Sequence, residues 1–281
     1  MRVLIAPSPT AFANISAAAA GIGGGLPSSG ATQHFNIFCM PALLPAGAQV
    51  VADVLANCEG DYVRLCSMFG LPQPPPHFNV TLAGLSTYLD GKGGAFHWTC
   101  DGADIYCDVK LNPVLDSKLS SALLVAELVE VFEAVQSIGW NCGASNGEGL
   151  SRVLASALYP GIPDNAGYSC AADWLDGGRP DWVTATNFTD RDAVSNGCSV
   201  LALNWMNGPL AGGGLNIDWA TICKAGGQTI AETYNRITGK NDAWQRFSAV
   251  MANMFPQNQP SGLKTDNPFL PPAVVKAQAI T

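Results

Sequence analysis

Glutamates recur at helical spacing in the middle of a chain that carries few charges. Glu127, Glu130 and Glu133 stand three residues apart, in a stretch whose apolar residues also follow helical spacing. Residues three apart on a helix lie on neighbouring turns of one face, so the three carboxylates are predicted to form a row. Glu148 opens a second helical pattern after a short Gly- and Asn-rich turn. These carboxylates are the first candidates for chemistry in this sequence.

The two patterns contain the runs Ala-Glu-Leu-Val-Glu (126–130) and Gly-Glu-Gly-Leu-Ser (147–151). This arrangement resembles the gluzincin class of zinc metallopeptidases, which carry H-E-x-x-H on one helix and a glutamate as third zinc ligand on the next. The resemblance aligns Glu127 with the general base and Glu148 with the third ligand. It aligns Ala126 and Glu130 with the two histidines. It implies an active-site domain of helix, strands and two helices over 46–208.

Both zinc-binding histidines of that class are missing here. Alanine cannot bind a metal ion, and a carboxylate replaces the neutral imidazole that makes a tight zinc site. All three histidines lie upstream of the motif, and only His97, in a predicted strand, would reach the two helices. The resemblance therefore implies an inactive metallopeptidase-like protein that acts as a binding or structural protein, without a cofactor and with zinc disfavoured. His97 and Tyr159 are the candidates for its cleft wall.

An active hydrolase, either a peptidase or a glycosidase, is the alternative function. Facing carboxylates do not all stay ionised without a cation or a shared proton, so Glu127, Glu130 and Glu148 would form an oxygen-ligand site for Ca²⁺ or Mg²⁺. A glycosidase would use one carboxyl as acid and another as base. Four tryptophans are candidates for lining a sugar-binding cleft or for the core: Trp98, Trp140, Trp174 and Trp182.

Structural roles compete for the same side chains. Ser145 and Glu148 fit a capping box, in which Ser145 accepts the Glu148 N–H and the Glu148 carboxylate reaches back to Ser145. Glu133 fits a solvent-exposed helix stripe. Glu127 and Glu130 are flanked by apolar residues on both sides, which favours their partial burial.

Composition narrows the class of protein. The 281 residues are 48% hydrophobic and 13% charged, which suffices for a real core in one domain or two closely joined ones. A net charge of −8 offers no basic surface for nucleic acid or an anionic membrane. No apolar run reaches the roughly 18 residues of a membrane span. Pro7 and Pro9 interrupt the N-terminal apolar run, so no clear signal peptide is predicted.

Nine cysteines are many for a reducing compartment and favour an extracellular or otherwise oxidising one. No C-x-x-C pair occurs, so a zinc knuckle is not predicted. Cys100 and Cys107 bracket a short loop and are candidates for a disulfide. The odd count leaves at least one free or intermolecular thiol.

The pattern predicts an α+β fold: a small N-terminal sheet with helices, two central active-site-like helices and a mostly helical C-terminal half. The predicted organisation is an Ala/Gly-rich arm (1–35), a single metallopeptidase-like domain (36–255, divided at 158) and a Pro-rich tail (256–281). The arm and the tail are the predicted surfaces for self-assembly or for a protein partner. Strands are predicted at 35–40, at 78–84 and twice within 93–113, and further helices at 46–69, 198–206, 217–224, 228–237 and 241–255.

Overall fold

Strands and helices share the first half of the chain, and helices dominate the second, as predicted for an α+β fold. The computed structural model describes residues 26–71, 77–85, 94–109, 117–189 and 191–269. Within them the strands are β1 (Ser28–Ala31), β2 (Phe35–Cys39), β3 (Phe78–Ala83), β4 (Ala95–His97) and β5 (Asp104–Asp108). The α-helices there are α1 (Ala48–Phe69), α2 (Ser117–Gln136), α3 (Ser145–Leu158), α4 (Ile162–Asn165), α5 (Ala171–Asp176), α6 (Ala193–Asn207), α7 (Trp219–Ala225), α8 (Ile230–Thr238) and α9 (Ala243–Met254).

The five strands form one mixed sheet in the order β1-β2-β3-β5-β4. The central strands β2, β3 and β5 are parallel, and the edge strands β1 and β4 are antiparallel to their neighbours. In β2 the predicted alternation is confirmed, since Phe35, Ile37 and Cys39 are buried. His97 ends the edge strand β4, opposite Ile105 of β5.

Helix α2 lies at the centre of the molecule. It packs against α1 and α3 and against strands β4 and β5. Every residue from Leu119 to Glu133 is buried. A helix that is apolar around its whole circumference belongs inside a core, and leucines, valines and alanines supply that surface here. The glutamates of this helix are therefore carried into the protein interior.

Helix ends follow the sequence signals in part. Gly70 and Gly239 end α1 and α8 with left-handed backbone, each with φ near 70°. Asp242 stands at the N-cap position of α9, but its carboxylate accepts a hydrogen bond from the Tyr234 hydroxyl at 2.8 Å instead of capping the helix.

The chain ends take part in the fold where they are described. Ser28–Ala31, placed by the sequence in the arm, pairs with β2 as strand β1. In the predicted tail, Asp266 and Phe269 are buried. The rest of the arm (1–25) and of the tail (270–281) lies outside the described residues. None of the described helices combines the length and the apolar character that crossing a membrane requires.

Asp266 anchors the tail to helix α5. Its Oδ1 accepts the backbone N–H groups of Cys170 and Ala171, each at 2.8 Å. Burial raises the pKa of Asp266 to about 6. A folded-state pKa above the usual value of about 3.9 means that the folded chain holds this proton more tightly than the unfolded chain does. The stabilising contribution of Asp266 is therefore complete below about pH 4 and is lost as the pH rises towards 6.

We expect Asp266→Asn to remove this pH dependence, because the asparagine Oδ1 can still accept both N–H groups. Urea denaturation at several pH values between 4 and 7 measures the free energy of unfolding of both proteins. As the pH rises through this interval, the free energy of unfolding of the variant should increase relative to that of the wild type, by up to about 1.4 kcal/mol per pH unit. A difference between the two proteins that is constant with pH would contradict the assignment.

Candidate metal centre

His97 lies between two glutamates of helix α2. Its ring Nδ1 is 3.4 Å from Glu127 Oε2, and its Nε2 is 3.2 Å from Glu130 Oε2. The exposed fractions of the three side chains are 5% for His97, 3% for Glu127 and 10% for Glu130. The i, i+3 spacing on α2 places both carboxylates on the face that packs against β4. An edge strand and a core helix thus build one polar cluster.

The three side chains are suited to binding one metal ion. One ligand atom from each of His97, Glu127 and Glu130 lies within 4.8 Å of the others. With both carboxyl groups ionised, the cluster carries two negative charges beside a neutral imidazole and one beside a protonated imidazole. Charge this deep in a protein is costly unless it is paired or bound to a metal ion. The arrangement therefore favours an added cation.

Glu133 extends the row by one further turn. It is fully buried, so the prediction of a solvent-exposed stripe is wrong for it. Within the described part of the chain neither of its carboxyl oxygens has a hydrogen-bond partner. Burial, and then the charges of Glu130 and Glu148, raise the pKa of Glu133 well above its usual range. Burial and the neighbouring charges therefore favour the neutral, protonated form of Glu133 beside the cluster.

Glu148 is neutralised within its own helix. Arg152 lies one turn later on α3, and its Nε donates to Glu148 Oε1 at 2.7 Å. The predicted capping box is wrong: α3 begins at Ser145, and Ser145 Oγ accepts the N–H of Asn187 at 3.1 Å. Glu148 is not among the described residues whose ligand atoms group with His97.

The other predicted positions lie away from His97. Ala126 faces a small cavity of about 30 Å³ that Arg152, Tyr168 and Asp266 also line. Tyr159 is buried, and its hydroxyl donates to Asp61 Oδ2 of α1 at 2.5 Å. Burial, and then the bond to Asp61, raise the pKa of Tyr159. The structure thus brings together His97, Glu127 and Glu130, and it leaves Glu148 and Tyr159 with other partners.

A disulfide lies next to the cluster. Cys100 bonds Cys142, so the predicted Cys100–Cys107 bond is wrong and Cys107 is a buried free thiol. The bridge ties the turn after β4 to the connection between α2 and α3. No local pattern predicts this pairing, because its cysteines are 42 residues apart and only the folded chain makes them neighbours.

A cleft opens on the outer side of this disulfide. Its volume is about 590 Å³, and both cysteines line it together with Trp140, Asn146, Phe188 and Gln228. The Phe188 side chain is 83% exposed at this surface. Of the other predicted cleft tryptophans, Trp174 is buried in the core and Trp98 packs against Phe96 and Tyr106. The cleft gives solvent a route to the disulfide.

Comparison of the chain with protein-family models, with curated proteins and with solved structures returned no match. The resemblance to the gluzincin class stays a prediction from the residues.

Gly147 makes the close approach of α2 and α3 possible. A Cβ atom there would lie 2.2 Å from the backbone oxygen of Asn141 and 2.3 Å from Glu133 Oε2. No side chain fits this space without movement of the backbone. The first glycine of the Gly-Glu-Gly run, Gly147, is thus explained by the closeness of Asn141 and Glu133.

We expect Gly147→Ala to lower the free energy of unfolding by about 1–3 kcal/mol, because it overpacks the junction of the two helices. Gly60→Ala is the matched control. Gly60 lies inside α1 with nothing within 4 Å of its added Cβ, so that change should stabilise the chain by about 0.5–1 kcal/mol. Urea denaturation measures both, and equal effects of the two changes would contradict the packing argument.

Proposed function

We propose that this chain is a divalent-metal-binding protein on a metallopeptidase-like pair of helices, with His97, Glu127 and Glu130 as the ligands. The observation that carries the proposal is the buried imidazole of His97, which lies 3.2 and 3.4 Å from the two carboxylates. These two distances start from different ring nitrogens, and ligand atoms taken one from each residue all lie within 4.8 Å of one another, which is compatible with three ligands around one ion. One ion would take one of the two ring nitrogens.

The donor set selects the kind of metal. Carboxylates alone suit Ca²⁺ and Mg²⁺, whereas imidazole suits transition metals. One nitrogen and two oxygens therefore favour Zn²⁺ or Mn²⁺ over the hard cations. His97 is what shifts the expectation from Ca²⁺ or Mg²⁺ towards a transition metal.

The contacts of the two helices argue against the zinc chemistry of a gluzincin peptidase. At the position of the first histidine, Ala126 offers no ligand. At the position of the third ligand, Glu148 is paired with the guanidinium of Arg152 at 2.7 Å. Arg152 thus already balances the charge of Glu148, the carboxylate that would bind zinc in a gluzincin site. The proposal is therefore a binding function for the metal site, in a protein without peptidase activity.

A metal-dependent hydrolase is the second candidate, and the cleft of about 590 Å³ beside the disulfide favours it. Glu133 would be its proton donor, since a buried, neutral carboxyl suits general acid catalysis. Activity of the zinc-loaded protein on ester and peptide substrates, lost in Glu133→Gln with metal affinity retained, would select this candidate. Lack of turnover by the loaded wild type would leave the binding function.

We expect metal-free protein to bind one equivalent of Zn²⁺ or Mn²⁺ in isothermal titration calorimetry and to melt at a higher temperature with the metal. Free metal at 100 times Kd should add about 2.7 kcal/mol to the free energy of unfolding. His97→Ala and the double change Glu127→Gln, Glu130→Gln should lose this binding, because each removes ligands.

His34→Ala is the matched control. His34 also pairs with a glutamate, its Nδ1 lying 2.8 Å from Glu59 Oε2, but it belongs to no group of three possible metal ligands in the described part of the chain. It should bind metal as the wild type does. If the wild type binds neither ion, or if His97→Ala binds as well as His34→Ala, the metal-binding function is refuted. The cluster would then be an ion-paired structural element.

A further inference from the structure

We propose that reduction of the Cys100–Cys142 disulfide creates a second metal site, in which the two thiolates and His97 bind Zn²⁺. One ligand atom from each of the three residues lies within 4.8 Å of the others. Two thiolates and an imidazole are ligands that zinc prefers in proteins. The oxidised and reduced forms of the chain would thus present two different ligand sets at one place.

The ligands come from two tethered segments. Cys100 follows His97 by three residues in the turn after β4, and Cys142 lies between α2 and α3, with a Cα–Cα distance of 6.0 Å to Cys100. The His97 side chain is 95% buried, and its Nδ1 has no hydrogen-bond partner among the described residues. A buried ring nitrogen that makes no hydrogen bond, and whose contact with Glu127 Oε2 at 3.4 Å is an ion pair only, on an imidazole that groups with two sulfurs, is the second observation that points to a ligand.

This property separates the pair from the other cysteines. The seven remaining cysteines are free thiols, and all of them lie in the described residues. None of them belongs to a group of three metal-binding side chains in those residues. Cys100 and Cys142 also line the cleft, so a small reductant has a route to their bond.

A dithiol reductant supplies everything that reduction of the Cys100–Cys142 disulfide requires. The reductant gives two electrons and two protons to the disulfide, the S–S bond breaks, and two thiols and the oxidised, cyclic disulfide of the reductant result. Zinc binding then releases the two thiol protons to solvent, because the thiolate is the ligand. No further oxidant or reductant is needed.

The second site shares His97 with the carboxylate site but does not depend on Glu127 or Glu130. Since one imidazole cannot serve both sets with the same nitrogen, reduction is expected to move the ion from carboxylate to thiolate ligands. The two proposals can therefore fail separately.

Cobalt(II) is the probe, because thiolate ligands give it an intense charge-transfer band in the near ultraviolet that carboxylates do not give. The full chain is reduced with a dithiol, freed of reductant without oxygen, and titrated. We expect the band at one equivalent of cobalt in the reduced wild type, its absence in the oxidised wild type, and its loss when zinc is added in competition.

The double change Cys100→Ser, Cys142→Ser should abolish the band, whereas Glu127→Gln, Glu130→Gln should keep it. Cys66→Ser is the matched control, a partly buried free thiol outside the cluster, and it should also keep the band. Circular dichroism checks that each variant is folded. A reduced wild type without the band, or a band that survives in the double cysteine variant, would overturn the proposal. A band lost only in Cys66→Ser would assign the thiolate elsewhere.

Discussion

The burial of three glutamates on one core helix is the constraint on which the rest of the site depends. Helix α2 is covered by α1, α3, β4 and β5, so little water reaches its carboxylates. The three carboxyl groups are not all stabilised in the same way. Glu127 and Glu130 lie 3.4 and 3.2 Å from an imidazole, and burial raises the pKa of Glu133, which favours its protonated form. The neighbouring helix α3 also carries a buried glutamate, Glu148, and Arg152 balances its charge.

Close packing around α2 requires a glycine at one contact and a disulfide at another. Gly147 leaves room for the carboxyl of Glu133, and the disulfide from Cys100 to Cys142 holds the turn after β4 against the connection between α2 and α3. His97 begins this tethered segment. The position of the imidazole is therefore set by an edge strand on one side and a covalent bridge on the other, which is the kind of rigid support that a ligand set requires.

Much of this could be predicted from the sequence, for a physical reason. The strands and helices come from periodicity, and the glutamate row on one face of α2 follows from residues three apart. His97 could be chosen because it alone among the histidines stands in a strand near the motif. The i, i+4 spacing of Glu148 and Arg152 was a local signal for their ion pair, but the burial of Glu133 and the pairing of Cys100 with Cys142 could not be predicted. Each depends on which distant segments pack together, and local patterns carry no such information. A helix that is apolar on all sides was the available signal for Glu133.

The central claim is that His97, Glu127 and Glu130 hold one divalent cation. The most direct test is crystallography of the oxidised protein soaked in zinc, with anomalous diffraction recorded on both sides of the zinc absorption edge. We expect one strong anomalous peak within bonding distance of the His97 ring and of both carboxylates. A peak bound to Glu148 or elsewhere, or none at this cluster in zinc-soaked crystals, would contradict the claim.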